Sequence, residues 1–185
     1  ELRGTLLAQV MSRKVVRNVT ATTEGETQSW GRPMHTPECA VEGDGMSGAD
    51  VTDTQRPNPY GTGLFGTQLS PGAETLLTFD LKRELELDQM WVWNYHCPDD
   101  NYRRLWWHGG SAVGIRDVRV YTSLDGKTWT ELDNAGKPFR FARASGEDRC
   151  MAATNLVGDN LPVCFHSVKA RYVKLVPDLR PCVGN

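Results

Sequence analysis

Residues 96–113 read His-Cys-Pro-Asp-Asp-Asn-Tyr-Arg-Arg-Leu-Trp-Trp-His-Gly-Gly-Ser-Ala-Val, and they hold the densest chemistry in the chain. Tyr102, Arg103, Arg104, Trp106, Trp107 and His108 crowd into a stretch whose Pro, Asp and Gly content reads as loop. Exposed aromatics favour a partner, so the cluster is a candidate recognition surface. Indole faces can stack on the C–H face of a pyranose, while Arg, His and Asn hydrogen-bond its hydroxyls. The paired guanidiniums of Arg103 and Arg104 would also suit a carboxylate or sulfate on an acidic sugar. The other reading is structural: Trp106 and Trp107 fold back as a small core for a long loop, pinned by a Cys97 disulfide. His35, Tyr60, Arg56 and Phe65 lie in an earlier loop tract. Each can line the same end of the molecule or serve as an ordinary loop residue.

Catalytic patterns are thin. Neither a G-x-S-x-G elbow nor a Ser or Cys in a comparable His context appears. Asp99 and Asp100 are adjacent and so project differently, whereas glycoside hydrolysis needs two opposed carboxylates. Cys164-Phe165-His166 and His96-Cys97 have no zinc-motif spacing. A lyase using Tyr102, Arg104 and His108 is the residual enzymatic reading, because a fold does not exclude a function. The expectation is a chain that binds and does not catalyse.

The elements that must hold this loop are strands. The chain has 185 residues, with six Trp, five Tyr, five Phe, 18 Gly and 10 Pro. That mix suits one turn-rich β domain, with residues 1–20 as an N-terminal extension or linker. A net charge of −2 speaks against nucleic acid and polybasic membrane-surface partners. No apolar run is long enough for a membrane span. The first residue is Glu1, and the expectation is a processed or excised fragment. Five Cys without C-x-x-C spacing leave two readings open, buried thiols or disulfides in an exported protein.

Residues 6–16 have helical spacing, and 15–22 look strand-like. Residues 23–72 are mostly turn chemistry, a length of loop that usually serves ligand or ion binding. Strands are predicted over 75–81, 89–95, 113–123, 128–132, 138–144, 161–165 and 170–176. A tight Asp125-Gly126 turn joins two of them. There is no room for helices between them, so the sheet is antiparallel and the prediction is a β-sandwich.

Phe79-Asp80-Leu81 with Trp93-Asn94-Tyr95, then Gly114-Ile115-Arg116-Asp117-Val118 leading to Ser123-Leu124-Asp125-Gly126-Lys127-Thr128-Trp129, then Ala170-Arg171-Tyr172-Val173-Lys174-Leu175 occur in that order. Together they resemble the discoidin-like family, or coagulation factor 5/8 type C domains, whose bacterial members include galactose-binding-like carbohydrate-binding modules. The resemblance implies an antiparallel jelly-roll β-sandwich of the galactose-binding-like type. It makes Trp129, Tyr172, Val173 and Leu175 scaffold, with Trp129 covering one end of the core. It also marks residues 96–113 as an insertion.

The resemblance further implies a structural calcium ion at residues 39–47. Glu42 stands for the family's Asp and Ser47 for its Thr, with Cys39 and Asp44 where backbone carbonyl ligands fall. Hard oxygen donors on a Gly-rich turn suit calcium. The sequence departs from the family in the longer Glu42 and in Ala49, where a Trp often stands. An acidic turn with no ion is the other reading.

The expectation is a non-catalytic carbohydrate-binding module, secreted or on the cell surface, binding an oligo- or polysaccharide. It would be covalently linked to a catalytic domain of a bacterial glycan-degrading enzyme. The alternative is a discoidin-type adhesion module for protein or lipid head groups.

Overall fold

The computed structural model describes residues 15–24, 26–27, 36–43, 46, 67–68, 74–94, 115–142 and 162–177. Eight strands are present among them: β1 (Thr20–Thr22), β2 (Glu26–Thr27), β3 (Thr67–Gln68), β4 (Leu77–Met90), β5 (Asp117–Ser123), β6 (Thr130–Glu131), β7 (Phe139–Arg140) and β8 (Val163–Pro177). A 3-10 turn spans Pro37–Ala40. Six strands form one sheet in the order β1-β4-β8-β5-β6, with β7 also on β5, and β2 and β3 form a second. Every pairing is antiparallel. The expected all-β, antiparallel class is the one observed.

Strand boundaries differ from the sequence expectation, and the cause lies in bulges. Residues 75–81 and 89–95 were expected as two strands, but β4 runs unbroken through the charged stretch between them and ends at Met90. Its inward residues have odd numbers from Leu77 to Leu87, with Leu77, Leu81 and Leu87 buried and Phe79 and Leu85 partly so, and the even-numbered Met90 packs inward past a register shift. Expected strands 161–165 and 170–176 are likewise one strand, β8. There the inward set changes parity twice, from Val163 and Phe165 to Val168 and Ala170, then to Val173 and Leu175. Two register shifts against β4 produce this. Simple alternation is lost at each, so the run reads as two strands.

At the first shift Asp80 holds the backbone. Its Oδ1 accepts from the Lys82 N–H at 2.8 Å and from Arg171 Nε at 3.1 Å, while Oδ2 accepts from Arg171 Nη2 at 3.3 Å. Lys82 has φ 68°, left-handed and disfavoured for a side-chain-bearing residue. Its ammonium also donates to Thr20 Oγ1 at 2.6 Å. At the second shift His166 and Ser167 both have positive φ, 54° and 61°, and the Ser167 hydroxyl donates to Asp88 at 3.3 Å.

The β5–β6 connection is longer than the expected tight turn. Tyr121 pairs with Glu131 and Thr122 with Thr130, so residues 123–129 make the loop. Asp125 organises it: its carboxylate accepts from the Lys127 and Thr128 N–H groups, both at 2.8 Å, and from the Ser123 and Thr128 hydroxyls. These donors, backbone first, hold its carboxyl well below the usual range. Gly126 at φ 71° lets the chain pass the Tyr172 ring, where an added Cβ would meet ring carbons at 3.4 Å.

The sheet's two faces are unlike. The inward face builds a core of Val118, Val120, Leu132, Phe141, Val163, Phe165 and their neighbours. Trp129 and Tyr172, expected as core scaffold, are absent from that cluster. They meet edge to face at 6.5 Å, and Lys174, opposite Tyr121 in the ladder, is on the outward face with them. The Lys174 ammonium sits 4.4 Å over Trp129 and 5.3 Å over Tyr121, and Arg171 lies 4.9 Å over Tyr172. Val173 and Leu175 are core, as expected.

Two outcomes follow. Gly126→Ala combines a left-handed φ with the ring contact and should lower unfolding free energy by about 1–2 kcal/mol in urea titration. Arg171 and then Lys82 hold the Asp80 carboxyl below its ordinary value against some opposing desolvation. For Asp117 desolvation pushes upward, but Arg140 and Arg116 outweigh it and the net shift is downward. With Asp125, all three take up protons more readily when unfolded. Their contribution is therefore full above about pH 4 and fades as pH falls through the lower folded values. Urea midpoints measured from pH 5 to pH 2 should drop, and Asp125→Asn should flatten that drop.

Candidate functional site

Residues 95–114 leave and rejoin the described structure at one clamp. The Asn94 carboxamide, 8% exposed, donates to Ile115 O at 2.7 Å and Ala142 O at 2.9 Å. Its Oδ1 accepts from the Ile115 N–H at 3.1 Å. One side chain thus ties the start of the segment to its end and both to the residues that follow β7. Beside it Phe141 N–H donates to Arg116 O at 2.7 Å, and Asp117 accepts from Arg116 and Arg140 at 2.8 and 3.0 Å. The described residues that flank 95–114 are therefore closely hydrogen-bonded.

The expected ligand residues Tyr102, Arg103, Arg104, Trp106, Trp107, His108, His35 and Tyr60 lie outside the described residues. In the sequence Asn94 stands only within the Trp93-Asn94-Tyr95 triplet that carries part of the resemblance. The available signal was a short polar residue between the aromatics of Trp93 and Tyr95, where alternation toward a core would place an apolar one.

For the calcium expectation, Cys39 and Glu42 are described, and Asp44 and Ser47 lie outside the described residues. Cys39 lies within the 3-10 turn, its N–H donating to Thr36 O at 3.1 Å, and Glu38 O accepts from Val41 and Glu42 N–H. Gly43, at φ 77°, then reverses the chain, and the Met46 N–H returns to Gly43 O at 3.0 Å. The Glu42 side chain is exposed. Glu42 thus offers one exposed carboxylate, a hard oxygen donor, beside a left-handed Gly. Among the described residues, no group of three or more His, Cys, Asp or Glu side chains gathers as a metal site.

Of the five cysteines, Cys39 and Cys164 are described, and both are thiols. The Cys164 Sγ–H donates to Pro162 O at 3.4 Å. The aromatic group on the outward face is closed by its own cations, because Lys174 occupies a face of both Tyr121 and Trp129. Those rings serve as a brace for the sheet. Among the described residues, no helix is long and apolar enough to cross a membrane.

Several solved structures are similar to this chain. One is CBM32-1 from a family 31 glycoside hydrolase of Clostridium perfringens, at 17% identity and TM-score 0.43, covering 89% of this chain and 86% of that one. A second is CpGH89CBM32-5 of Clostridium perfringens, in complex with GalNAc-β-1,3-galactose, at 16% identity and TM-score 0.45, covering 86% and 82%. A third is the C-terminal domain of a chitobiase from Bacteroides fragilis, at 16% identity and TM-score 0.45, covering 94% and 89%. No protein-family model matches the sequence, and no curated protein does.

Asn94→Ala removes three hydrogen bonds and leaves their part-buried backbone partners at Ile115 and Ala142 without them. The expected cost is about 2–4 kcal/mol in chemical denaturation. Trp93→Phe, which keeps the aromatic body, should cost less than Asn94→Ala by the same measurement.

Proposed function

We propose that the chain is a non-catalytic carbohydrate-binding module. It holds an oligo- or polysaccharide through residues 102–108, with Trp106 and Trp107 as stacking faces and Arg103, Arg104, Tyr102 and His108 as polar anchors. His35 and Tyr60 complete the same site. The observation that carries this is the Asn94 clamp, which seats the ends of an aromatic and Arg-rich segment on a rigid sheet. A recognition loop needs such a base, because binding is weakened by whatever ordering the loop must still undergo. Two of the similar structures bear that class in their names; what supports it for this chain is its own residues.

The setting proposed with it is a single jelly-roll module over residues 1–185, secreted or on the cell surface and joined covalently to a glycan-degrading catalytic domain. Tethering would raise the effective concentration of substrate near that partner. Affinity electrophoresis in neutral and acidic polysaccharides tests the binding. Trp106→Ala or Trp107→Ala should weaken retention by about tenfold or more, the loss of one aromatic contact of about 1.4 kcal/mol. Retention unchanged in both variants removes the site. Retention on anionic lipid vesicles, with none on any glycan, turns the function to adhesion.

We also propose that calcium is held by Glu42, Ser47 and the carbonyls of Cys39 and Asp44. The ion would stabilise the turn and take no part in chemistry. Binding only the folded state, calcium at about 100 times its Kd would add about 2.7 kcal/mol. The melting temperature should then rise with calcium and fall with chelator, and Glu42→Gln should abolish the difference. No response to calcium in the parent chain removes the ion.

A further inference from the structure

Ser123, at the far end of β5 from the Asn94 clamp, borders a groove of about 670 Å³. That volume lies within the range of small-molecule sites. Its floor is apolar, with Leu132 and Phe165 buried and Val168 partly so, and Leu124, 54% exposed, stands on its rim. The groove reaches the segment beside the second bulge, where two left-handed residues place His166 on its edge.

Thr122 lines this groove. It is 7% exposed, and its hydroxyl has no hydrogen-bond partner among the described residues. A hydroxyl withdrawn from bulk water and left unpaired costs free energy, so its persistence asks for a polar occupant. Thr130, opposite Thr122 in the β5–β6 register, adds an exposed hydroxyl.

The charges narrow the occupant. Asp125 has both oxygens engaged by its own turn. Glu131 has both engaged by Arg119 and Tyr121. Among the described residues that border the groove, the Asp133 carboxylate accepts only from Gly136 N–H at 3.4 Å, and Lys169 and His166 bring one basic side chain and one imidazole. One carboxylate and one ammonium offset each other. Donors, acceptors and hydroxyls thus border an apolar floor, a combination that matches a neutral, hydroxyl-rich ring with a C–H face.

The geometry points to a second saccharide subsite, for neutral sugar residues, in the groove formed by β5, β6 and the β8 bulge. It is built from residues other than those of the site proposed on residues 102–108. The seven residues of β5 set Ser123 about 20 Å from the strand's other end, beside which residues 95–114 enter and leave. Two such subsites on one module would let it hold two stretches of a polymer or two chains.

The test is an amide chemical-shift titration of the full chain with lactose, maltotriose and cellotriose in turn, to tens of millimolar. At least one should move Thr122, Thr130, Leu132 and Lys169 saturably. Thr122→Val keeps the shape and removes the hydroxyl, and should weaken that binding about fivefold. Thr130→Val and Lys169→Ala, both at exposed positions, should weaken it too, and they decide the matter if Thr122→Val does not fold. A Trp106→Ala/Trp107→Ala chain should keep the groove shifts. If those shifts persist while polysaccharide retention never depended on the two tryptophans, only the loop site falls. The groove assignment is overturned by no saturable shift with any of the three sugars. It is overturned equally by unchanged affinity in Thr130→Val and Lys169→Ala, by equal shifts with glucuronate, or by groove shifts that vanish in the double tryptophan variant.

Discussion

The ladder between β4 and β8 is the spine of the sheet, and its register depends on Asp80. That carboxylate accepts the Lys82 N–H across a left-handed kink and grips Arg171 on the facing strand. Leu77 pairs with Leu175 before the kink and Leu85 with Ala170 after it. Without the kink, a strand of period two carried past the offset would turn Val168 and Ala170 to solvent and Lys169 to the core. The energy of a partly exposed ion pair is modest, so the importance of Asp80 lies in geometry. It holds a backbone shape that the ladder alone disfavours.

Both faces follow from that register. Inward, residues from β4, β5 and both halves of β8 meet in one apolar cluster. Outward, Tyr121, Trp129 and Tyr172 form a row with Lys174 and Arg171 laid over their rings. Cation–π contacts at partly exposed sites are worth about 0.5–1 kcal/mol each, enough to keep rings and cations together on a wet surface. A row of aromatics is therefore not in itself a binding platform. What matters is whether the faces are left bare, and here they are covered.

Function in this chain is arranged around connections, and the strands set their ends. Asn94 joins Ile115 and Ala142, so a long segment begins and ends at one point. Asp125 similarly folds residues 123–128 on themselves, leaving a defined wall for the groove beside Thr122. Two polar side chains, each saturated by backbone groups, thus shape two separate regions. The β8 bulge adds a third device by setting His166 at the groove's edge.

The antiparallel class, the strand locations near 75–81, 113–123 and 170–176, and the inward roles of Val173 and Leu175 are legible from residue order. They depend on local alternation, turn residues and the want of room for helices, all of which a sequence carries. The joining of β4 through Lys82-Arg83-Glu84, the parity changes in β8, and the outward placement of Trp129 and Tyr172 are not legible. Each depends on which residue faces which across the ladder, between positions some ninety apart for Asp80 and Arg171. The same holds for Thr122: its type and place are printed in the chain, but its burial at the edge of the groove exists only once β6 and β8 flank it. Local preference determines which segments extend; pairing partners distant in the chain determine what each side chain meets.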